Sequence, residues 1–233
     1  MISKLFQIVL YYFFYPIAKL VFKIEIKEIE NLNKIDPSKK LIIAANHTHF
    51  LDSTIGAWAF TKYLRSLKYP FSKILPIRFI AGAEYFDFLK SPPFFPISLI
   101  VASYVRLNGS IPVLRGSNDN LENKLKNAVN VLNRNGKIFI FPEGKMSKDG
   151  NLQKGKRGIG YLHKVTKAPI IPMALINVHQ CTKIKNLLLF ILGKKRIKIY
   201  IGEPIMDISN LEVEEISNKV MEEIKKLIEK TGN

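Results

Sequence analysis

A histidine and an aspartate five residues apart are the first residues of this chain that suggest chemistry. Leu41–Asp52 reads LIIAANHTHFLD, in which the apolar run Leu41–Ala45, predicted to be a short buried strand, ends at a polar corner holding His47. A neutral imidazole takes up a proton near neutral pH, and a carboxylate bonded to its far ring nitrogen would fix its tautomer. On a continuous helix the two side chains would point about 140° apart, so contact between them requires a turn.

Each residue also has a purely structural interpretation. A histidine at a strand end is often a polar residue with its hydrogen bonds satisfied locally, and Asp52 would serve equally well as the N-cap of a helix starting at Ser53. The pair alone leaves both interpretations open.

A second stretch repeats the same pattern. Lys137–Gly144, KIFIFPEG, is an apolar run that ends in Glu143 and Gly144. Both runs are continuous rather than alternating, which is typical of parallel strands covered by helices on both faces. Ligands bind at the C-terminal edge of such sheets, so polar residues at two strand ends favour one shared site. Two more strands are predicted at Gly109–Arg115, which closes on an arginine, and at Ala168–Ile176, which begins with the block Ala168–Met173.

These four blocks, in this order, resemble those of the glycerolipid acyltransferase superfamily, which includes the 1-acyl-glycerol-3-phosphate acyltransferases. The resemblance spans Leu41 to Ile205, and its most specific part is Asn46, His47 and Asp52 combined with Phe141–Gly144. It implies transfer of a fatty acyl group from an acyl-CoA or acyl carrier protein thioester to a hydroxyl of a lysophospholipid-like acceptor, with 1-acyl-glycerol-3-phosphate expected. His47 would be the general base and Asp52 its orienting carboxylate. Neither a bound cofactor nor a metal site is expected.

The resemblance assigns binding of the acceptor's polar head to Arg115, Glu143, Gly144 and Lys145. A guanidinium offers phosphate a fixed pair of donors, which agrees with Arg115; a surface ion pair is its alternative. Glu143 suits phosphate poorly. A hydrogen bond to an acceptor hydroxyl or a basic side chain would explain it better, and the bland alternative is a structural tie between loops.

Two positions depart from the family pattern. Threonine and arginine usually follow the Pro-Glu-Gly corner, whereas Lys145 and Met146 follow it here, and Gly82 stands about where the family commonly has a lysine. Either a basic residue among Lys145, Lys154, Lys156 and Arg157 compensates, or the acceptor is a different lipid. A non-catalytic basic protein that keeps the fold and binds lipid or nucleic acid is the alternative from another class.

Charge points to an acidic partner. The chain has 36 lysines and arginines against 19 acidic residues, a net charge of +17. Basic residues bracket the apolar run Leu187–Leu192, which suits an anionic membrane surface better than a nucleic-acid groove, and no nucleic-acid-binding signature is present. Acyl carrier protein is a possible further partner. Cys181 is the only cysteine, which excludes an intrachain disulfide and fits a reducing, cytosol-facing location.

The N-terminal stretch Leu5–Phe22 is apolar and aromatic, with Lys19 its only charge. Its length is marginal for a membrane span and Pro16 interrupts it, so an in-plane or half-embedded helix is favoured and a span is the alternative. We therefore expect a membrane-associating segment at 1–23, an acyltransferase domain at 24–233, and a peripheral or monotopic protein on the cytoplasmic side of the cell membrane.

Strands and helices alternate along the remaining chain, and this predicts an α/β fold, a three-layer sandwich with a mostly parallel sheet covered by helices. Helices are predicted at Asn118–Asn133, Gly158–Val165 and Leu211–Lys230. Gly136 is expected to end the first of these as its left-handed cap. Ser91–Val105 is either a core helix, or one wall of an acyl-chain pocket or a second membrane-contacting surface.

Overall fold

A computed structural model describes residues 2–60, 75–88, 96–114 and 120–230. Within them the strands form one seven-stranded sheet in the order β1-β7-β6-β2-β5-β3-β4, parallel throughout except for the antiparallel pair β6 and β7. The strands are β1 Glu25–Lys27, β2 Leu41–Ala45, β3 Ile77–Gly82, β4 Ile111–Val113, β5 Lys137–Ile140, β6 Ile170–Ile176 and β7 Lys198–Ile201.

The helices are α1 Ile2–Phe22, α2 Asp52–Trp58, α3 Ile97–Leu107, α4 Leu121–Asn133, α5 Gly158–Thr166, α6 Ile184–Ile191 and α7 Val213–Glu229, with short 3₁₀ turns at Ile29–Lys34 and Ala83–Phe86. This alternation around a mostly parallel sheet confirms the predicted fold class. The helix expected to start at Ser53 is described from Asp52 to Trp58, and Arg115 lies outside the described residues.

The central strand β2 shows why both sheet faces are apolar. Leu41, Ile43 and Ala45 belong to a core that includes residues of α1, α2 and α6, whereas Ile42 and Ala44 belong to a second core with residues of α4, α5 and α7. All five side chains are buried. A strand covered on both faces has no solvent side, and this explains its uninterrupted apolar sequence.

Asparagines flank helix α4 at both ends. The Asn120 side chain accepts a hydrogen bond from the Asn123 backbone N–H, which caps the first turn. At the other end Asn135, with φ +58°, adopts the left-handed conformation, so the prediction that Gly136 does so was wrong. Gly136 is required for a different reason: a Cβ there would clash with Val131.

Helix α1 has one face inside the protein and one outside. Gln7, Tyr11 and Tyr15, spaced four residues apart, are buried against the domain. The Gln7 amide donates to the carbonyls of Ile77 (2.7 Å) and Asn108 (3.1 Å) and accepts from the Ile77 N–H (3.0 Å). A π-helical turn at Leu10–Phe14 precedes Pro16, whose ring nitrogen cannot donate to the turn before it.

Candidate active site

The corner after β2 is held by Asn46. Its side-chain amide donates to the Leu175 carbonyl (3.1 Å), and its oxygen accepts from the Leu175 N–H (2.7 Å). Asn46 therefore extends the pairing of β2 with β6 by one residue while the backbone turns away. The sequence identified Asn46 only as part of a motif. The structure shows that its side chain joins the end of β2 to Leu175 of β6.

A tight turn brings Asp52 back to His47. Their Nδ1 and Oδ2 atoms lie 3.0 Å apart, and the same Oδ2 accepts the backbone N–H groups of Thr48 (2.5 Å) and His49 (2.7 Å). Asp52 is fully buried and is the first residue of α2, not its N-cap. Its side chain thus holds the preceding turn together, which is how residues five apart meet.

The other side of the histidine is packed on an aromatic ring. His47 and Phe141 stack with centroids 3.9 Å apart and an 8° angle between planes, and Phe141 meets Phe139 edge-on at 5.3 Å. A carboxylate only accepts hydrogen bonds, so the His47 proton belongs on Nδ1 and a lone pair remains on Nε2. Nε2 bonds to none of the described residues, and the His47 side chain is 16% exposed.

Glu143 joins the two strand ends. One carboxylate oxygen accepts the His47 backbone N–H (2.6 Å) and the other accepts the Gln153 backbone N–H (2.8 Å). The residue is 2% exposed, and burial raises the pKa of its carboxyl although both hydrogen bonds act to lower it. The contacts of Glu143 are therefore those of a tie between loops.

Gly144 and Lys145 follow this tie and differ in exposure. Gly144 has φ +72°, a conformation that favours glycine, and the aliphatic end of Lys156 lies against it. A Cβ on Gly144 would approach Lys156 Cδ to 2.8 Å and its ammonium nitrogen to 3.2 Å. The Lys145 side chain is exposed beside them.

The loop after Gly144 folds back over the histidine corner. The Ser147 N–H donates to the His47 carbonyl (2.7 Å), and Ser147 Oγ donates to Asp149 (2.8 Å). Hydrogen bonds from the Asn151 N–H and from Ser147 lower the pKa of Asp149 to about 2. The loop is therefore tied to the site through backbone and side chains.

His49 is a residue of this region that sequence reasoning missed. Its Nε2 lies 3.2 Å from Thr182 Oγ1, its Nδ1 lies 3.8 Å from Cys181 Sγ, and its ring packs on Phe50. Burial lowers its pKa. The pattern His-x-His in the sequence was the available signal. In the described part of the chain no group of three histidine, cysteine or acidic side chains is arranged to hold a metal ion.

The family model that matches this chain is named Acyltransferase and covers residues 23–176, about two thirds of the sequence. The chain belongs to the acyltransferase family. The strand ends that carry His47 and Glu143 both fall within the matched range, and so does the Asp52 turn.

Curated relatives of this chain include two plant proteins. It is 25% identical over 222 residues to the chloroplastic 1-acyl-sn-glycerol-3-phosphate acyltransferase BAT2 of Brassica napus, which covers 95% of this chain and 54% of that protein. It is 26% identical over 175 residues to the chloroplastic 1-acyl-sn-glycerol-3-phosphate acyltransferase LPAT1 of Arabidopsis thaliana, a match that covers 75% of this chain and 40% of that protein. The chain thus spans about half the length of the curated relatives it matches.

A solved structure shares the fold of this chain over nearly its whole length. The crystal structure of the 1-acyl-sn-glycerophosphate acyltransferase PlsC from Thermotoga maritima superposes with a TM-score of 0.60 at 16% identity, covering 99% of this chain and 98% of that one. The predicted resemblance to the glycerolipid acyltransferases is confirmed by these matches.

Proposed function

We propose that this chain transfers a fatty acyl group from an acyl thioester, acyl-CoA or acyl carrier protein, to a hydroxyl of a lysophospholipid-like acceptor, with 1-acyl-glycerol-3-phosphate as the favoured acceptor. The observation that carries the proposal is the 3.0 Å contact between His47 Nδ1 and buried Asp52, because it leaves Nε2 as a base. The names of the curated relatives support the acceptor.

His47 Nε2 would remove the proton of the acceptor hydroxyl as its oxygen attacks the thioester carbonyl carbon. The resulting imidazolium is stabilised by the Asp52 carboxylate. When the tetrahedral intermediate collapses, the carbon–sulfur bond breaks and the imidazolium returns its proton to the leaving thiolate. The products are an ester and a free thiol, and the histidine is regenerated without a covalent enzyme intermediate.

The acceptor's head group would bind beside the Glu143-Gly144 corner. We assign Glu143 to positioning the corner, since both of its oxygens accept backbone N–H groups. Lys156 is the cation best situated for a phosphate. Its side chain runs along Gly144, and its backbone N–H donates to the Pro142 carbonyl (2.8 Å). Lys145 and Arg115 are further candidates for that head group. Gly82 cannot be replaced by a longer residue without movement, because a Cβ there would clash with the Glu84 carboxylate.

Helix α1 is proposed to lie in the plane of a membrane, with 1–23 as the associating segment and 24–233 as the acyltransferase domain. Among the described residues only α1 is long and apolar enough to cross a bilayer. Its three hydrogen bonds through Gln7 hold one face on the domain, whereas large apolar side chains such as Leu5, Phe13 and Leu20 are 63–70% exposed. A helix held on one side suits an in-plane position. The single cysteine supports a cytosol-facing side.

The test measures thiol release by the full chain from acyl-CoA and acyl carrier protein with 1-acyl-glycerol-3-phosphate or monoacylglycerol as acceptor. His47→Ala should abolish release yet remain folded, because Asp52 still accepts the backbone N–H groups of Thr48 and His49. Unchanged release by His47→Ala would remove the assignment of the base. A wild-type chain that transfers no acyl group to any acceptor, but binds lipid or nucleic acid, would favour the non-catalytic alternative.

A further inference from the structure

Helix α6 presents an apolar face to the surface. Ile184, Leu188 and Ile191 recur at helical spacing and are 78%, 54% and 57% exposed, and Leu192 follows at 66%. Single exposed leucines are ordinary on soluble proteins, but four neighbouring large aliphatic side chains mark an interaction surface.

The inner side of α6 is fixed to the domain next to α1. Phe190 is fully buried and meets Phe22 of α1 edge-on with ring centroids 5.4 Å apart. The half of α1 that contacts α6 exposes Ile17 (61%) and Leu20 (70%). Two adjacent helices therefore both expose aliphatic side chains while their aromatic residues anchor them in the core.

The residues around this face are basic. From Gly150 to Gly202 the sequence has eleven lysines and arginines and no acidic residue. Lys183 and Lys194 flank α6 and Lys185 lies in its first turn, and these three form no ion pair with any described residue. Arg196, in contrast, pairs with Glu25 at 2.5 Å. An apolar face rimmed by cations without an ion-pair partner among the described residues is complementary to an anionic bilayer.

The start of α6 lies at the edge of the candidate active site. Thr182, two residues before the helix, lies 3.2 Å from Nε2 of His49, which follows His47 by two residues. The adjoining Phe50 packs on His49 with ring centroids 4.4 Å apart and is 66% exposed. The exposed face of α6 therefore begins close to the turn that carries His47.

We propose that α6 and Phe50 dock on an anionic bilayer and that this contact sets the mouth of the His47 site at the membrane surface. An acceptor with its acyl chain in the bilayer then enters the site laterally, without leaving the lipid. The inference rests on the proposed function for its substrate, and α6 acts in addition to α1.

The test compares Leu188→Glu with Val165→Glu in the full chain. Val165 is 46% exposed on α5, which packs on the opposite face of the sheet, so it controls for an added surface charge on an apolar position. Each variant is sedimented with vesicles of phosphatidylcholine alone and of equimolar phosphatidylcholine and phosphatidylglycerol. Leu188→Glu should lose about tenfold in binding to the mixed vesicles, and Val165→Glu should bind as the wild type does.

Acyl transfer is then measured with a long-chain acceptor in the mixed vesicles and with a short-chain acceptor dissolved in water. Leu188→Glu should be about tenfold slower on the vesicle acceptor and retain the rate on the soluble one. Wild-type vesicle binding by Leu188→Glu would overturn the inference, as would equal loss on both acceptors or stoichiometric capture of a protein by this face. Absence of transfer by the wild type would count against the proposed function. The sedimentation result would still test whether α6 docks on the bilayer.

Discussion

At the scale of single residues, Asp52 combines two tasks in one oxygen. Oδ2 faces His47 Nδ1 and also accepts two backbone N–H groups, so the carboxylate closes the turn that carries His47 and, in the proposed mechanism, would also orient this base. A neutral amide in its place would lack the charge that stabilises an imidazolium, and its N–H₂ group would compete for the same position. A substitution of Asp52 is therefore expected to affect both the proposed catalysis and the stability of this turn.

Asp52→Asn should lower kcat on the order of 100-fold, less than the loss in His47→Ala, with little change in KM. The free energy of unfolding should also fall by about 1–3 kcal/mol, because a buried hydrogen-bond set is disturbed. Steady-state kinetics and urea unfolding measure both. A kcat close to that of the wild type would mean that Asp52 does not orient the base.

Lys156 is the residue that decides the head group in our proposal. Lys156→Ala should raise the KM for 1-acyl-glycerol-3-phosphate about tenfold or more and leave kcat and the reaction with monoacylglycerol unaffected. Lys154→Ala is the matched control, since Lys154 is an exposed lysine two positions away. Lys156→Arg should recover much of the affinity because it keeps the charge. Equal effects of Lys156→Ala on both acceptors would instead indicate that the side chain only supports the Gly144 corner.

Cys181 is close to the site, but its environment is that of a structural thiol. It is fully buried, and burial, with the nearby Asp52 charge, raises its pKa to about 11. The thiol thus stays protonated at neutral pH, and alkylation by iodoacetamide should be slow at pH 8 and accelerate as pH rises towards 11. Cys181→Ala should retain acyl transfer. Rapid alkylation of the folded protein at pH 7 would contradict this account.

At the scale of elements, the position of His47 depends on how closely α2 approaches β5. Gly56 of α2 lies against Phe139 of β5, and a Cβ on Gly56 would reach 2.6 Å from the Phe139 ring. Phe139 contacts Phe141, and Phe141 stacks on His47. A shift of α2 would therefore displace the Phe139 and Phe141 rings and, through them, the His47 ring.

Gly56→Ala should lower kcat. It should also lower the free energy of unfolding by a net amount on the order of 1 kcal/mol, since overpacking outweighs the gain in helix propensity. Gly158→Ala is the control: its Cβ would meet only Leu125 at 3.7 Å, so activity and stability should be maintained or slightly improved. Thermal unfolding and steady-state kinetics separate the two effects. Full activity in Gly56→Ala would show that the aromatic chain does not position His47.

The sheet was predictable because its central strands are buried on both faces. Leu41–Ala45 was predicted with its exact bounds, and the strand at Ala168 and the closing helix were predicted within two residues of theirs. Continuous apolar runs and helical spacing are local signals that packing reinforces. The pairing of His47 with Asp52 was also anticipated in outline, since five residues and a turn were sufficient to join them.

What the sequence did not predict depends on contacts between distant segments. The bonds of Glu143 to His47 and Gln153, and those of Asn46 to Leu175, are set by which strands are neighbours in the sheet. Tertiary packing decided each of these cases over the local preference.

At the scale of the whole molecule, charge and apolar surface are arranged together. Helix α1 supplies Gln7, Tyr11 and Tyr15 to the interior, so deleting it would uncover the core and remove three hydrogen bonds. Point variants on its outer face are therefore the cleaner test of membrane association. Ile17 and Leu20 suit this purpose because they are exposed and lie away from those bonds.

The double variant Ile17→Glu, Leu20→Glu should lose vesicle retention at high salt by about tenfold or more yet still bind anionic vesicles at low salt. The reason is that a net charge of +17 attracts the surface only over the Debye length, which shrinks from about 10 Å at 0.1 M to about 3 Å at 1 M salt, whereas apolar burial persists. Co-sedimentation at these two salt concentrations, with Val165→Glu as control and unfolding midpoints compared, gives the measurement. Complete release of the wild type at 1 M salt would mean that the attachment is electrostatic and that α1 does not enter the bilayer.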